Sequence, residues 1–196
     1  MISIAITGNA GSGKSTLMRL LSQRHITTIS ADTINACLLR YCVFISGWLS
    51  RLLRTPLDLS STEGKNALAA AIASNNDDKR MVENTLHPVI LQNIQLHASL
   101  AVDACYCAIE VPLLYETGLE NRFDRIILLA SGKNVLESRI AQRNSPGNMT
   151  AQQILAMQDC GTQRYKTSHD IIINDTTLDN LEQSVCNLLS TSAFAR

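Results

Sequence analysis

The chain has 196 residues, length for one domain with a small insertion and too little for two independent full-size domains. Its 45% hydrophobic fraction supplies a continuous core, but only 3 Phe, 1 Trp and 4 Tyr are present, so Leu, Ile, Val and Ala must fill most of it. Seventeen Lys+Arg against 17 Asp+Glu leave a formal charge of zero. This argues against a whole-surface nucleic-acid binder or an anionic-membrane binder and leaves a local basic site open. Cys37, Cys42, Cys105, Cys107, Cys160 and Cys186 form no C-x-x-C pair and lack zinc-ribbon spacing, so most are read as reduced core residues. Met1 leads straight into an apolar run with no cationic start or cleavage site, which makes the cytoplasm the expected location. The longest apolar stretch, Ala36 to Leu49, is interrupted by Arg40 and falls short of the roughly 18 residues of a membrane span.

The β-branched run Ile2 to Ile6, bounded by Thr7-Gly8, predicts a first strand; Leu17, Leu20 and Leu21 then switch to helical spacing. His25 to Ser30 and Cys105 to Val111 read as two buried strands, the latter stopped by Pro112. Cys105 and Cys107 share a face at period 2 and are read as packing rather than a metal pair. From Thr33 to Leu100 the apolar spacing is mainly helical, broken near Pro56 and at a loop over 59–63, and Tyr41 to Leu49 is expected as a helix of that region's core. Arg125 to Ala130 predicts a fourth strand, followed by a helix from Lys133 to Arg143 and a loop over 144–148. Thr150 with Gln153 three residues on has the form of a capping box, and this loop and helix suit a lid. Asp170 to Asn174 gives a fifth strand and Leu178 to Leu189 a last amphipathic helix. Continuous apolar strands separated by helices imply a parallel sheet covered on both faces, an α/β three-layer fold.

Gly8-Asn9-Ala10-Gly11-Ser12-Gly13-Lys14-Ser15 matches G-x-x-x-x-G-K-[ST] at every fixed position, between the first strand and the first helix. In such a loop the backbone around Gly11, Ser12 and Gly13 points N–H groups at phosphate oxygens and the following helix adds its positive end. Lys14 is expected to reach the β- and γ-phosphates of ATP, Ser15 to ligate Mg²⁺ and Thr16 to follow at the nucleotide. Neither a guanine-reading Asn-Lys-x-Asp nor an Asp-x-x-Gly switch occurs, which points away from a GTPase, and the length leaves little room for ring-ATPase machinery. A kinase of a small molecule remains, and it needs a carboxylate near the acceptor hydroxyl and cations around the transferred phosphoryl group.

Asp32, just beyond the second strand, stands at the carboxyl edge where ligands of parallel sheets bind, although it also suits a helix N-cap. With the phosphate loop, Leu86-His87-Pro88-Val89-Ile90, Val111-Pro112-Leu113-Leu114-Tyr115-Glu116, Gln142-Arg143 and Asp170-Ile171-Ile172-Ile173-Asn174, the chain resembles the dephospho-CoA kinase family over nearly its whole length. The resemblance implies a phosphate-loop kinase fold in a single domain, with a helical acceptor-binding region over about 33–100 and a lid over about 143–165. It further implies transfer of the ATP γ-phosphoryl to the ribose 3′-hydroxyl of dephospho-CoA, with no nucleic-acid or membrane partner.

By the same resemblance Asp32 orients or deprotonates the hydroxyl and Arg143 is the lid arginine that approaches ATP phosphates; otherwise Arg143 is a cation at a helix C-terminus. Arg164 contacts phosphate or stands exposed beside Asp159, and Lys65 and His87 belong to the acceptor region, His87 having a helix-start role as its alternative. Glu110 holds Mg²⁺ in the manner of a Walker-B carboxylate or is a strand-end acid facing solvent. The chain departs from the family pattern at Ser30, Ala36, Lys65 and Gly161, where acidic or arginine residues are usual. Lys65 keeps the charge without the guanidinium fork. These departures leave open a kinase of another nucleoside or small alcohol, or a nucleotide-binding paralogue without transfer activity.

Overall fold

The computed structural model describes residues 1–100, 104–142, 150–156 and 163–191. In chain order the elements are β1 (Ile2–Thr7), α1 (Lys14–Ser22), β2 (Thr27–Ser30), α2 (Ala31–Tyr41), α3 (Val43–Leu52), α4 (Thr62–Ser74) and α5 (Asn76–Leu100). They continue with β3 (Tyr106–Glu110), β4 (Arg125–Ala130), α6 (Lys133–Gln142), α7 (Ala151–Ala156), α8 (Gln163–Thr167), β5 (Asp170–Ile173) and α9 (Leu178–Leu189). The chain divides into two compact units, residues 1–29 with 101–196, and residues 30–100.

The first unit is built on a five-stranded sheet of order β2-β3-β1-β4-β5. β1 pairs in parallel with β3, Ile6 opposite Glu110, and with β4, Ile6 opposite Ile127, while β4 pairs in parallel with β5. Ile4, Ile6, Ala108, Ile127 and Leu129 turn one face onto Leu17, Leu20 and Leu21 of α1 and Leu181, Val185 and Leu188 of α9. Ala5, Cys107, Ile109 and Leu128, at the alternate positions, are buried as well. The central strands are therefore covered on both faces, which is why they read as unbroken apolar runs.

The edges differ from that reading. β5 buries Ile172 but leaves Ile171 43% and Ile173 60% exposed, and every residue of β2 is half-buried. β2 starts at Thr27 rather than His25 because His25 is left-handed, with φ 60. There the chain turns out of α1, and Ile26 N–H donates to the Leu21 carbonyl at 3.1 Å. The cysteine reading is likewise corrected: Cys107 is buried, but Cys37, Cys105 and Cys186 are exposed and Cys42 is half-buried. Cys105 precedes β3 and so escapes its buried face. Burial pushes the Cys107 thiol up to about 11, leaving it an inert packing group.

Polar contacts tie the strand ends. Arg125 forks onto Asp170 with Nε–Oδ2 at 2.6 Å and Nη2–Oδ1 at 3.0 Å, joining the starts of β4 and β5, and this carboxylate raises the Arg125 pKa. Asp124 accepts from the Ser3 hydroxyl and the Ser3 backbone N–H, each at 2.7 Å, and these bonds hold its carboxyl below the usual 3.8. A carboxylate whose folded pKa is depressed adds stability above its unfolded pKa, and this is lost as pH falls through the folded value. Asp124→Asn is therefore expected to lower the melting temperature at pH 7, the gap from wild type closing below about pH 4. Melts from pH 7 to pH 2.5 check this, and a constant gap contradicts it.

The second unit is helical. Ser30 caps α2, its hydroxyl accepting from Thr33 N–H at 3.3 Å, and Ser61 caps α4 by accepting from Gly64 N–H at 3.0 Å. The cap at Ser61 starts α4 at Thr62, inside the stretch expected as loop. Gly64 lies against the Asp58 carbonyl so closely that a Cβ would come within 1.9 Å of it. α5 runs through Pro88 rather than starting there; because the residue lacks an N–H, the backbone loses one helical bond at that point. Leu49, Leu57, Leu59, Leu68, Val82 and Leu86 form this unit's core. α3 contributes Leu49 and Trp48 to it, as the sequence predicts, while Tyr41, Val43 and Phe44 before and at its start are 70%, 79% and 89% exposed. Among the described residues no helix is long and apolar enough to cross a membrane.

Candidate active site

β1 ends at the buried Thr7, and the chain turns at Gly8 with φ 150. A Cβ on Gly8 would lie 2.2 Å from the Leu129 carbonyl oxygen, so only glycine lets the loop lie against β4. Gly13, with φ 98, caps α1 and supplies no side-chain acceptor, and no acid stands in the first turn. Neither a cap side chain nor an acid of its own first turn thus competes for the leading amides of this nine-residue helix, a setting that suits phosphate at a helix N-terminus.

Lys14 is only 8% exposed. Its Nζ donates to the Gly8 carbonyl at 2.8 Å and the Asn9 carbonyl at 3.0 Å, which holds the ammonium over the loop. From the far side Asn174, just past β5, donates through Nδ2 to the Ser12 carbonyl at 2.7 Å. Its own carbonyl accepts from Arg139 Nη1 at 2.9 Å and from Ser131 Oγ at 2.8 Å. Ser12 Oγ is buried with no hydrogen-bond partner among the described residues. Beside Gly11, Gly13 and Thr16 opens a cavity of about 430 Å³, walled by Arg139, Gln142, Asn174 and Leu178, a volume usual for small-molecule sites.

Of the residues singled out from sequence, Gly11, Ser12, Gly13, Lys14, Ser15 and Thr16 form the loop and the first turn, with Ser15 exposed. Glu110 ends β3 opposite Ile6, so its backbone sits beside the strand that feeds the loop, and it is half-buried. Arg164 is 8% exposed and donates through Nη1 to Asn9 Oδ1 in the loop, which excludes the exposed alternative. Thr150 and Gln153 form the expected capping box, Thr150 N–H donating to Gln153 Oε1 at 2.8 Å and Gln153 N–H to Thr150 Oγ1 at 3.3 Å.

Asp32, Lys65 and His87 belong to the helical unit, Asp32 and Lys65 exposed in the first turns of α2 and α4, and His87 half-buried within α5. His87 therefore has no helix-start role. Arg143 and Gly161 lie outside the described residues. Sequence reasoning gave no role to Asn9, Arg139 or Asn174. The available signals were a polar residue closing an apolar strand, for Asn174, and an arginine one helical turn before Arg143, for Arg139.

A phosphate-gripping loop after the first strand of a parallel sheet, with cations drawn onto it from distant segments, describes several kinase families. The dephospho-CoA kinase family model matches residues 2–180. The chain belongs to the dephospho-CoA kinase family. A curated dephospho-CoA kinase of Legionella pneumophila (strain Paris) is 30% identical over 191 residues, covering 95% of this chain and 92% of its own. One of Coxiella burnetii is 28% identical over 194 residues, covering 96% and 95%. A crystal structure from Thermus thermophilus superposes with a TM-score of 0.79 at 26% identity, over 96% of each chain. The dephospho-CoA kinase of Campylobacter jejuni shares the fold, with a TM-score of 0.66 at 23% identity over 95% and 94%. Members of this family are kinases that use ATP, and the chain is one of them; its parallel α/β fold is that of phosphate-loop kinases.

Proposed function

We propose that the chain completes coenzyme A by moving the γ-phosphoryl group of ATP onto the ribose 3′-hydroxyl of dephospho-CoA, through the residues named above. The observation that carries this reading is an intact Gly8-to-Ser15 loop within a family match that spans residues 2–180. Phosphoryl transfer asks for positioning and charge neutralisation more than covalent chemistry. In this reading the backbone amides from Gly11 to Lys14 receive the phosphates, and Lys14 and Arg164 offset charge that builds on the equatorial oxygens. The cavity walled by Arg139 and Leu178 receives the rest of the nucleotide.

Mg²⁺ fits the residues present: the Ser15 hydroxyl is exposed at the helix start and the Glu110 carboxylate ends the neighbouring strand, both oxygen donors of the kind a hard cation takes. Ser15 and Glu110 would hold the ion, which neutralises phosphate charge when bound. Asp32 aligns the acceptor hydroxyl and accepts its proton as the P–O bond forms. Lys65 and His87 contact the acceptor, and Arg143 closes over the phosphates from a lid spanning about 143–165, in a single kinase domain whose acceptor region spans about 33–100. The cytoplasm is the expected location, with no nucleic-acid or membrane partner.

Ser30, a departure from the family pattern, supports this assignment. Its hydroxyl already satisfies the α2 amide at Thr33, so the Asp32 carboxylate is not taken up as the N-cap. The test is direct: purified chain, ATP and dephospho-CoA are expected to yield coenzyme A and ADP in equal amounts, followed by chromatography. A preference for adenosine or another small alcohol over dephospho-CoA, or ATP binding with no transfer, overturns the reading.

A further inference from the structure

One polar network reaches the phosphate loop from a residue that the chemistry above does not use. Tyr115 lies in the turn after β3, next to the fully buried Leu114. Its hydroxyl is 2.8 Å from Ser168 Oγ and 3.2 Å from the Arg164 carbonyl oxygen. Ser168 Oγ donates to that same carbonyl at 2.5 Å. The Tyr115 O–H donates to the Arg164 carbonyl, and its contact with Ser168 Oγ can run in either direction. The backbone of Arg164 is thus anchored through Tyr115, while its guanidinium donates to Asn9 Oδ1. The Asn9 carbonyl in turn accepts from Lys14 Nζ at 3.0 Å.

The anchor has work to do because the five described residues of α8 amount to little more than one helical turn, which does not hold itself in water. Its position must come from tertiary contacts. A phenylalanine at 115 would fill the same half-buried space and supply no donor. The two loops involved leave adjacent strands, since β1 and β3 pair directly, so the tyrosine ties the turn after β3 to the loop after β1 by way of α8.

We propose that Tyr115 is a positioning residue for the phosphate donor: its hydroxyl fixes α8 so that the Arg164 guanidinium stays on the phosphate loop. The inference rests on the phosphate-binding role given to Arg164 above. Tyr115→Phe is expected to raise the KM for ATP roughly threefold to tenfold, the scale of one hydrogen bond in a part-buried site, with kcat and the KM for dephospho-CoA within about twofold of wild type. A purely structural role would instead lower the melting temperature and the active fraction, leaving the KM for ATP in place.

The experiment measures both KM values and kcat for wild type, Tyr115→Phe, Arg164→Ala and the double variant. In the Arg164→Ala background, the tyrosine substitution is expected to add little, because the group it positions is gone. If Arg164→Ala raises the KM for ATP and Tyr115→Phe does not, the positioning role is refuted and the arginine's role stands. If Arg164→Ala is silent, the arginine's role fails and the inference with it. An undiminished Tyr115→Phe effect without Arg164 also refutes it, since the hydroxyl would then act by another route. Should Tyr115→Phe fail to fold, Ser168→Ala removes the intermediate hydroxyl and is expected to raise the KM for ATP in the same direction; an unchanged value refutes the inference.

Discussion

Lys14→Ala is expected to lower kcat/KM for ATP by about a hundredfold or more, the scale on which losing a preorganised charge weakens a transition state. The structure gives the reason for preorganisation. The ammonium is bound by the Gly8 and Asn9 carbonyls at 2.8 and 3.0 Å and is 8% exposed. It therefore already lies over the loop, largely stripped of water, before any phosphate arrives. A charge fixed in this way needs no reorganisation during transfer, and a low-dielectric setting strengthens it. Alanine also removes the aliphatic stem, so Lys14→Met serves as the companion variant: it keeps the stem and loses the charge together with its bonds to the Gly8 and Asn9 carbonyls. Both variants should show the hundredfold loss in steady-state assays. A methionine variant that melts like wild type and stays within about tenfold of its activity would contradict the role.

Asp32→Asn is the second large expectation. The substitution preserves shape and removes the carboxylate charge, and turnover should fall about a hundredfold or more, as for loss of general-base assistance. The KM for ATP should be little changed, because in the proposed mechanism the residue serves the acceptor. A simpler function for an acid in the first turn of α2 is to complement the helix dipole, worth roughly 0.3–1 kcal/mol. That alternative predicts a small drop in melting temperature and no change in turnover. Capping is already excluded, since the Ser30 hydroxyl occupies the Thr33 amide. Paired melts and turnover measurements separate the two, and an Asp32→Asn enzyme that makes coenzyme A at the wild-type rate would remove the residue from the chemistry.

Residues differ in how far sequence reveals them because their interactions differ in range. Leu17, Leu20 and Leu21 announce α1 by helical spacing, and Arg125 to Ala130 announce β4 as an apolar run, since each pattern is local. His25 defeats the same method: its left-handed turn delays β2 and carries no periodic signal. Pro88 misleads because a proline is normally a boundary, yet α5 continues through it, with the apolar residues Val82, Leu86 and Ile90 packing on both sides. Cys105 and Cys107 show the limit of period-2 reasoning, for sharing a strand face requires both residues to be in the strand, and β3 begins at Tyr106.

What the amino-acid sequence determined by itself is the phosphate loop, the α/β class and the family resemblance, and the reason is contiguity. Gly8, Gly13 and Lys14 are neighbours in the chain, and the φ of 98 that Gly13 requires is a property of one residue's own backbone. The tertiary structure alone decided which distant groups grip that loop. Asn174 reaches the Ser12 carbonyl across 162 residues of sequence, and Arg164 reaches Asn9 across 155. Both arrive because β1 lies between β3 and β4, with β5 beyond β4. That order follows from which apolar faces pack best over the whole sheet, a sum over non-local contacts that no segment carries on its own.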